Sequence, residues 1–91
     1  MKSNSQKVFP DFENRDFYLD LGEHIAFYRK QARLTQQELA NRIDVTRCYL
    51  SRIESANTVQ SFSLEILFNI SKILDVPVMN FFEPLPGPDN E

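Results

Sequence analysis

Apolar residues recur at three- and four-residue intervals through the middle of the chain, and the stretches between them are short and polar. That period belongs to helices that bury one face. The first stretch places Leu21, Ile25, Tyr28 and Ala32 on one side and predicts a helix from about Asp20, or slightly earlier, to Ala32. Asp20 is read as its cap, with Glu23 three residues on completing a capping box. The second has the clearest start. Thr35-Gln36-Gln37-Glu38 is a capping box, flanked by Leu34 and Leu39 at the spacing of a hydrophobic staple. Leu39, Ala40 and Ile43 supply its buried stripe.

A third helix repeats these signals, with Thr46 as cap and Val45 and Leu50 as staple. Leu50 and Ile53 are expected to point inward, and Arg47, Cys48, Ser51 and Arg52 outward. Asp44-Val45 leaves only a short turn before it. One residue there is expected in the left-handed region, which Asp44 tolerates better than a branched residue. A fourth helix starts at Ser63 and ends near Leu74. Its Leu64, Ile66, Leu67, Phe68, Ile70, Ile73 and Leu74 run nearly all round, which predicts a central helix with neighbours on several sides. Pro77 opens a last short helix with Val78, Met79, Phe81 and Phe82. The expectation is an all-α fold of five helices. Residues 1–18, with Val8, Phe9 and Phe12, read as a partly ordered arm, 19–83 as the domain, and 84–91 as a disordered tail.

Composition changes this picture little. At 91 residues, 42% hydrophobic and 25% charged, the chain suits one ordinary globular unit. No apolar run approaches the roughly twenty residues of a membrane span, and Met1–Gln6 is too polar for a signal core. A single cysteine, Cys48, cannot form an internal disulfide. A cytoplasmic setting with reduced thiols is expected.

Charge adds more. The net value is −3, which argues against a nucleic-acid partner until it is resolved along the chain. Residues 22–54 carry Arg29, Lys30, Arg33, Arg42, Arg47 and Arg52 against Glu23, Glu38, Asp44 and Glu54. Beyond residue 55 only Lys72 opposes five acids. Residues 22–54 are therefore net positive within an acidic chain, and a local patch governs phosphate binding more than the sum does. Two short helices in a tight turn, the second with a polar and basic outer face, meet the requirement for reading a major groove about 12 Å wide.

The segments Leu21-Gly22-Glu23-His24-Ile25 through Arg29, Leu34-Thr35-Gln36-Gln37-Glu38-Leu39-Ala40, Val45-Thr46, Tyr49-Leu50-Ser51-Arg52-Ile53-Glu54 and Leu67–Val76 resemble the Cro/CI-type (XRE-like) helix-turn-helix regulators. The resemblance covers roughly residues 20–82 and implies a lambda-repressor-like DNA-binding domain. By it, Gln36 contacts phosphate and steadies the recognition helix, and Thr46 and Tyr49 match phosphate-contacting positions. Arg47, Cys48 and Arg52 fall where bases are read, with Ser51 a lesser candidate. Arg29 and Glu54 match a structural ion pair between the first helix and the end of the third. The chain departs from the pattern where glycine is usual, holding Arg33, Asp44 and Ser55-Ala56-Asn57 there. Residues 55–63, a loop that often brings cations to the backbone, contain none.

The leading expectation is a transcriptional regulator, a repressor, bound to double-stranded DNA as a homodimer on a palindromic operator. Val78, Met79, Phe81 and Phe82, or the N-terminal aromatics, are candidates for the dimer contact. The alternative is a protein-interaction module such as the antitoxin of a toxin pair. An enzyme is not expected, since one histidine, one cysteine and no glycine-rich loop leave no catalytic constellation. No cofactor is expected. His24 has no second histidine or neighbouring cysteine, so no metal site is expected either.

Overall fold

The computed structural model describes residues 13–87. Four α-helices follow in order, α1 (Arg15–Gln31), α2 (Gln36–Arg42), α3 (Arg47–Glu54) and α4 (Leu64–Leu74), then a 3-10 helix over Val78–Phe82. The fold is all-α, as expected, with the fifth helix a 3-10 turn. Each element gives at least one fully buried side chain: Ile25 from α1, Leu39 from α2, Leu50 and Ile53 from α3, Leu67 and Ile70 from α4, and Phe81 from the 3-10 helix. Burial of each is worth about 1.5–3 kcal/mol. Phe81 sits edge-on to Tyr28, 5.4 Å between centroids, which seats the 3-10 helix on α1.

The start of α1 corrects the sequence reading. The helix begins at Arg15, with Asn14 in the capping position, so Asp20 lies inside the helix and caps nothing. Arg15 to Leu19 contain no breaker, and Asp-x-x-Glu is only a signal where the preceding residues leave the helix. Arg15–Tyr18 thus belong to the domain and not to an arm. At the other end Leu85 packs against the core, so the tail is docked at least that far. The arm residues Val8, Phe9 and Phe12 and the terminal Asp89–Glu91 lie outside the described residues.

The hydroxyl of Thr35 accepts from the Glu38 amide at 3.0 Å, and the Glu38 carboxylate accepts from the Thr35 amide at 2.8 Å. Thr46 accepts from the Tyr49 amide at 3.0 Å and Ser63 from the Ile66 amide at 3.2 Å. Thr35 and Thr46 are the caps that the spacing predicts; Ser63, expected as the first residue of its helix, is the cap before it.

Three helices also end alike. Arg33, Asp44 and Asp75 have φ of 62°, 62° and 57°, in the left-handed region. After each, the next amide reaches back five residues: Leu34 to the Arg29 carbonyl, Val45 to Ala40 and Val76 to Ser71, at 3.2, 3.0 and 3.0 Å. This is the Schellman ending, in which an apolar residue after the left-handed one packs back on the helix. Leu34, Val45 and Val76 do so against the core. A side chain in this conformation costs roughly 1–2 kcal/mol relative to glycine, and the apolar anchor offsets it.

α4 is less enclosed than its composition suggests. It buries Leu67, Ile70, Ser71 and Leu74 along one side, while Leu64, Phe68 and Ile73 remain exposed. The helix carries an outer apolar stripe in place of neighbours on several sides. Phe17, Met79 and Phe82 are exposed as well.

Gly22 fixes how α1 crosses α3. A Cβ there would overlap the backbone carbonyl oxygen of Ile53, with Glu54 Cα just beyond. Backbone cannot step aside as a flexible side chain does. Gly22→Ala is therefore expected to destabilise the fold by about 3 kcal/mol, well beyond any gain in helix propensity. Urea unfolding followed by circular dichroism checks this, with Glu23→Ala on the exposed side as control.

Candidate nucleic-acid interface

α2 and α3 are joined by the turn Ile43–Thr46, and α3 turns Leu50 and Ile53 into the core. The period then forces the opposite face outward. Arg47, Cys48 and Arg52 are exposed and Ser51 half-exposed. The structure thus brings the four expected base-reading residues to one free helix face. Cys48 is a free, exposed thiol.

The orientation of that face rests on a hydrogen-bonded chain beneath it. Arg29 Nε donates to Glu54 Oε2 at 2.8 Å and Nη2 to Oε1 at 2.9 Å. Its remaining arm, Nη1, donates to the Leu34 carbonyl at 2.7 Å, in the turn between α1 and α2. The side chains of Arg29 and Glu54 are only 10% and 4% exposed. Gln36 Nε2 donates to Glu54 Oε1 at 2.9 Å. Arg47 Nη1 lies 3.5 Å from Gln36 Oε1, a long contact between the first residues of α3 and α2. One carboxylate thereby gathers α1, α2 and α3. The expected Arg29–Glu54 pair is present, and Gln36, expected at a phosphate, donates to the same carboxylate.

Thr46 and Tyr49 carry structural duties. The Thr46 hydroxyl caps α3 through the Tyr49 amide, leaving its own proton free to donate outward. The half-buried Tyr49 donates its hydroxyl proton to the Ser61 carbonyl at 3.2 Å, tying α3 to the loop before α4. Burial holds this phenol above its ordinary pKa, so it remains a neutral donor. This tie joins residues twelve apart and left no mark in the helical spacing. The loop is held further by the Ser55 hydroxyl, which accepts from the Asn57 amide at 3.0 Å. Gly22 and the Gln36–Glu54 bond were also not foreseen; the one available signal was a glycine inside a helical pattern, which marks a close approach.

The helix-turn-helix family model matches residues 25–79. A crystal structure of SinR, the master regulator for biofilm formation, in complex with DNA, is 33% identical; the match covers 69% of this chain and 98% of that one, with a TM-score of 0.62. No curated protein matches the chain at a significant level. The chain belongs to the helix-turn-helix family, of the Cro/CI (XRE-like) type.

Two outcomes follow from these contacts. Arg29→Met leaves the Glu54 carboxylate buried without its cation and should cost about 3–5 kcal/mol, whereas Arg29→Met with Glu54→Leu should cost clearly less; a double-mutant cycle by chemical denaturation measures both. The second outcome concerns Glu38. Bonds from the Thr35 backbone amide, and then its hydroxyl, hold the Glu38 carboxyl below its ordinary pKa. Its contribution is therefore present above the ordinary glutamate range and disappears as pH falls through the lowered folded value. Removing that carboxylate by Glu38→Gln should flatten the acid limb of the stability curve.

Proposed function

We propose that this chain is a sequence-specific double-stranded DNA-binding transcriptional regulator, a repressor that acts as a homodimer on a palindromic operator. The observation that carries the reading is the fixed seat of α3. Arg29 and Gln36 clamp its C-terminal Glu54 and Thr46 caps its start, while Arg47, Cys48, Ser51 and Arg52 face solvent together. A rigid helix with two outward arginines suits base edges, because a guanidinium fork matches O6 and N7 of guanine. The neighbouring SinR structure, solved with DNA, supports the same reading. Thr46 and Gln36 stand at the rim of this face, where phosphates would run, with Tyr49 bracing the loop beside them.

The dimer reading is supported by exposed apolar side chains. Leu64 is 63% exposed, Met79 68% and Phe82 60%. Phe81, expected among the contacts, is fully buried and is withdrawn from that role; Met79 and Phe82 remain. A two-fold dimer would present two recognition helices about 34 Å apart. The role is one of binding without catalysis, and the setting cytoplasmic. Among the described residues no helix is long and apolar enough to cross a membrane. The same apolar surface and the cation-free loop favour the second reading, an interaction module such as an antitoxin.

Selection of bound duplexes from a random pool, followed by fluorescence anisotropy on the enriched site, tests the proposal. Arg47→Ala and Arg52→Ala should each weaken binding to that site about ten- to a hundredfold, with little change in stability. Affinity should fall steeply with salt. A pool that does not enrich, or binding indifferent to both arginines, overturns the reading. Recovery of a tight one-to-one complex with a basic protein, in place of a DNA-binding homodimer, favours the second.

A further inference from the structure

Among the left-handed residues described, Arg33 is the one with a long cationic side chain. Its φ is 62°, in the turn where α1 ends and α2 begins. Asp44 and Asp75 hold the same conformation, but a short polar side chain can hydrogen-bond locally there. Arginine has no such compensation. Glycine at this place would leave the Leu34 anchor intact without the penalty of a Cβ. Backbone held in a sparsely populated region concentrates where chains bind their ligands.

The fold makes no use of that side chain. The Arg33 amide donates to the Lys30 carbonyl at 3.0 Å. Leu34 packs against the core, and its carbonyl accepts from Arg29 Nη1 at 2.7 Å. The turn is thus pinned by the arginine that also holds Glu54, while Arg33 itself is exposed. Among the described residues its guanidinium makes no ion pair and no hydrogen bond. Glu54 is occupied by Arg29, and the Glu38 carboxylate by the Thr35 amide. The position is also close to the reading face. Arg33 precedes Gln36 by three residues, a span of at most about 10 Å of chain. Gln36 in turn meets Arg47 at the start of α3. The loop after α3, residues 55–63, carries no cation.

We propose that Arg33 is a sequence-independent anchor for a phosphate of the duplex backbone, an inference that rests on the DNA-binding reading above. It supplies from the α1–α2 turn the charge that the loop after α3 lacks. A guanidinium is permanently charged, and its fork of donors matches phosphate oxygens. The pinned turn presents it without a loop having to become ordered on binding. A cation that neutralises a phosphate releases condensed counterions, so the contact is written in the salt dependence of binding. The strain kept at Arg33 is then the stability cost of a contact made to DNA.

Fluorescence anisotropy of the full 91-residue chain over a salt series tests the anchor, on the enriched duplex and on a scrambled duplex of equal length. Arg33→Gly should weaken binding to both by a similar factor, roughly five- to tenfold per bound copy at 0.1 M salt. The slope of log affinity against log salt should shrink by about one per copy. Arg33→Lys keeps the charge and should keep the slope. Lys72→Gln removes an exposed cation from α4 and should leave the slope unchanged. Urea unfolding of Arg33→Gly should be no easier than that of the native chain. The anchor is overturned by a native slope in Arg33→Gly, by an equal loss of slope in Arg33→Lys or Lys72→Gln, or by a loss confined to the enriched duplex, which makes Arg33 a base contact. A destabilised Arg33→Gly overturns the view that the side chain is idle in the fold. A native chain that binds no duplex overturns the DNA-binding reading and the anchor with it, whereas one that binds, beside an Arg33→Gly of native slope, overturns the anchor alone.

Discussion

The rest of the structure leans on one buried carboxylate. Glu54 ends α3, and it is neutralised by Arg29 from α1 and hydrogen-bonded by Gln36 from α2. Moving two charges out of water costs several kcal/mol per ion, so the pair is tolerable only when every partner is in place. Arg29 meets that condition by spending its fork on Glu54 and its third arm on the Leu34 carbonyl. The arrangement adds little net stability. Its value is geometric, because three helices can satisfy the carboxylate together at only one set of angles. The recognition helix is therefore set by electrostatics at its C-terminus and by the Thr46 cap at its N-terminus.

Around that clamp the chain uses one local rule three times. A polar residue turns left-handed, an apolar residue drops into the core, and the next element starts. In Arg33-Leu34-Thr35 and Asp44-Val45-Thr46 the apolar residue ends one helix and precedes the threonine that caps the next. That economy gives short, stiff connections without glycine. In Asp75-Val76-Pro77 the same rule hands α4 over to the 3-10 helix, with proline in the threonine's place.

Most of the fold was readable because its signals are local. Caps, staples and the helical period declared α2, α3 and α4 and sorted Arg47, Cys48, Ser51 and Arg52 from Leu50 and Ile53. The failures have physical reasons. Asp20 and Glu23 have the spacing of a cap, but a cap exists only where the chain before it is not helical. The apolar content of α4 measures hydrophobicity and not the number of neighbours, so Leu64 and Phe68 were expected inside. The Tyr49–Ser61 and His24–Glu83 contacts join remote residues through backbone carbonyls. A carbonyl has no residue identity, so no composition or spacing announces it.

The contact at Gly22 separates frame from reading head. There α1 and α3 meet backbone to backbone, with no side chain between them to repack. The seat of α3 is consequently indifferent to what its outer face carries. Residues at 47, 48, 51 and 52 are free to diverge between relatives while the scaffold beneath stays constant. Such a domain acquires new sequence preferences by exchange of a few exposed side chains, without having to find a new fold each time.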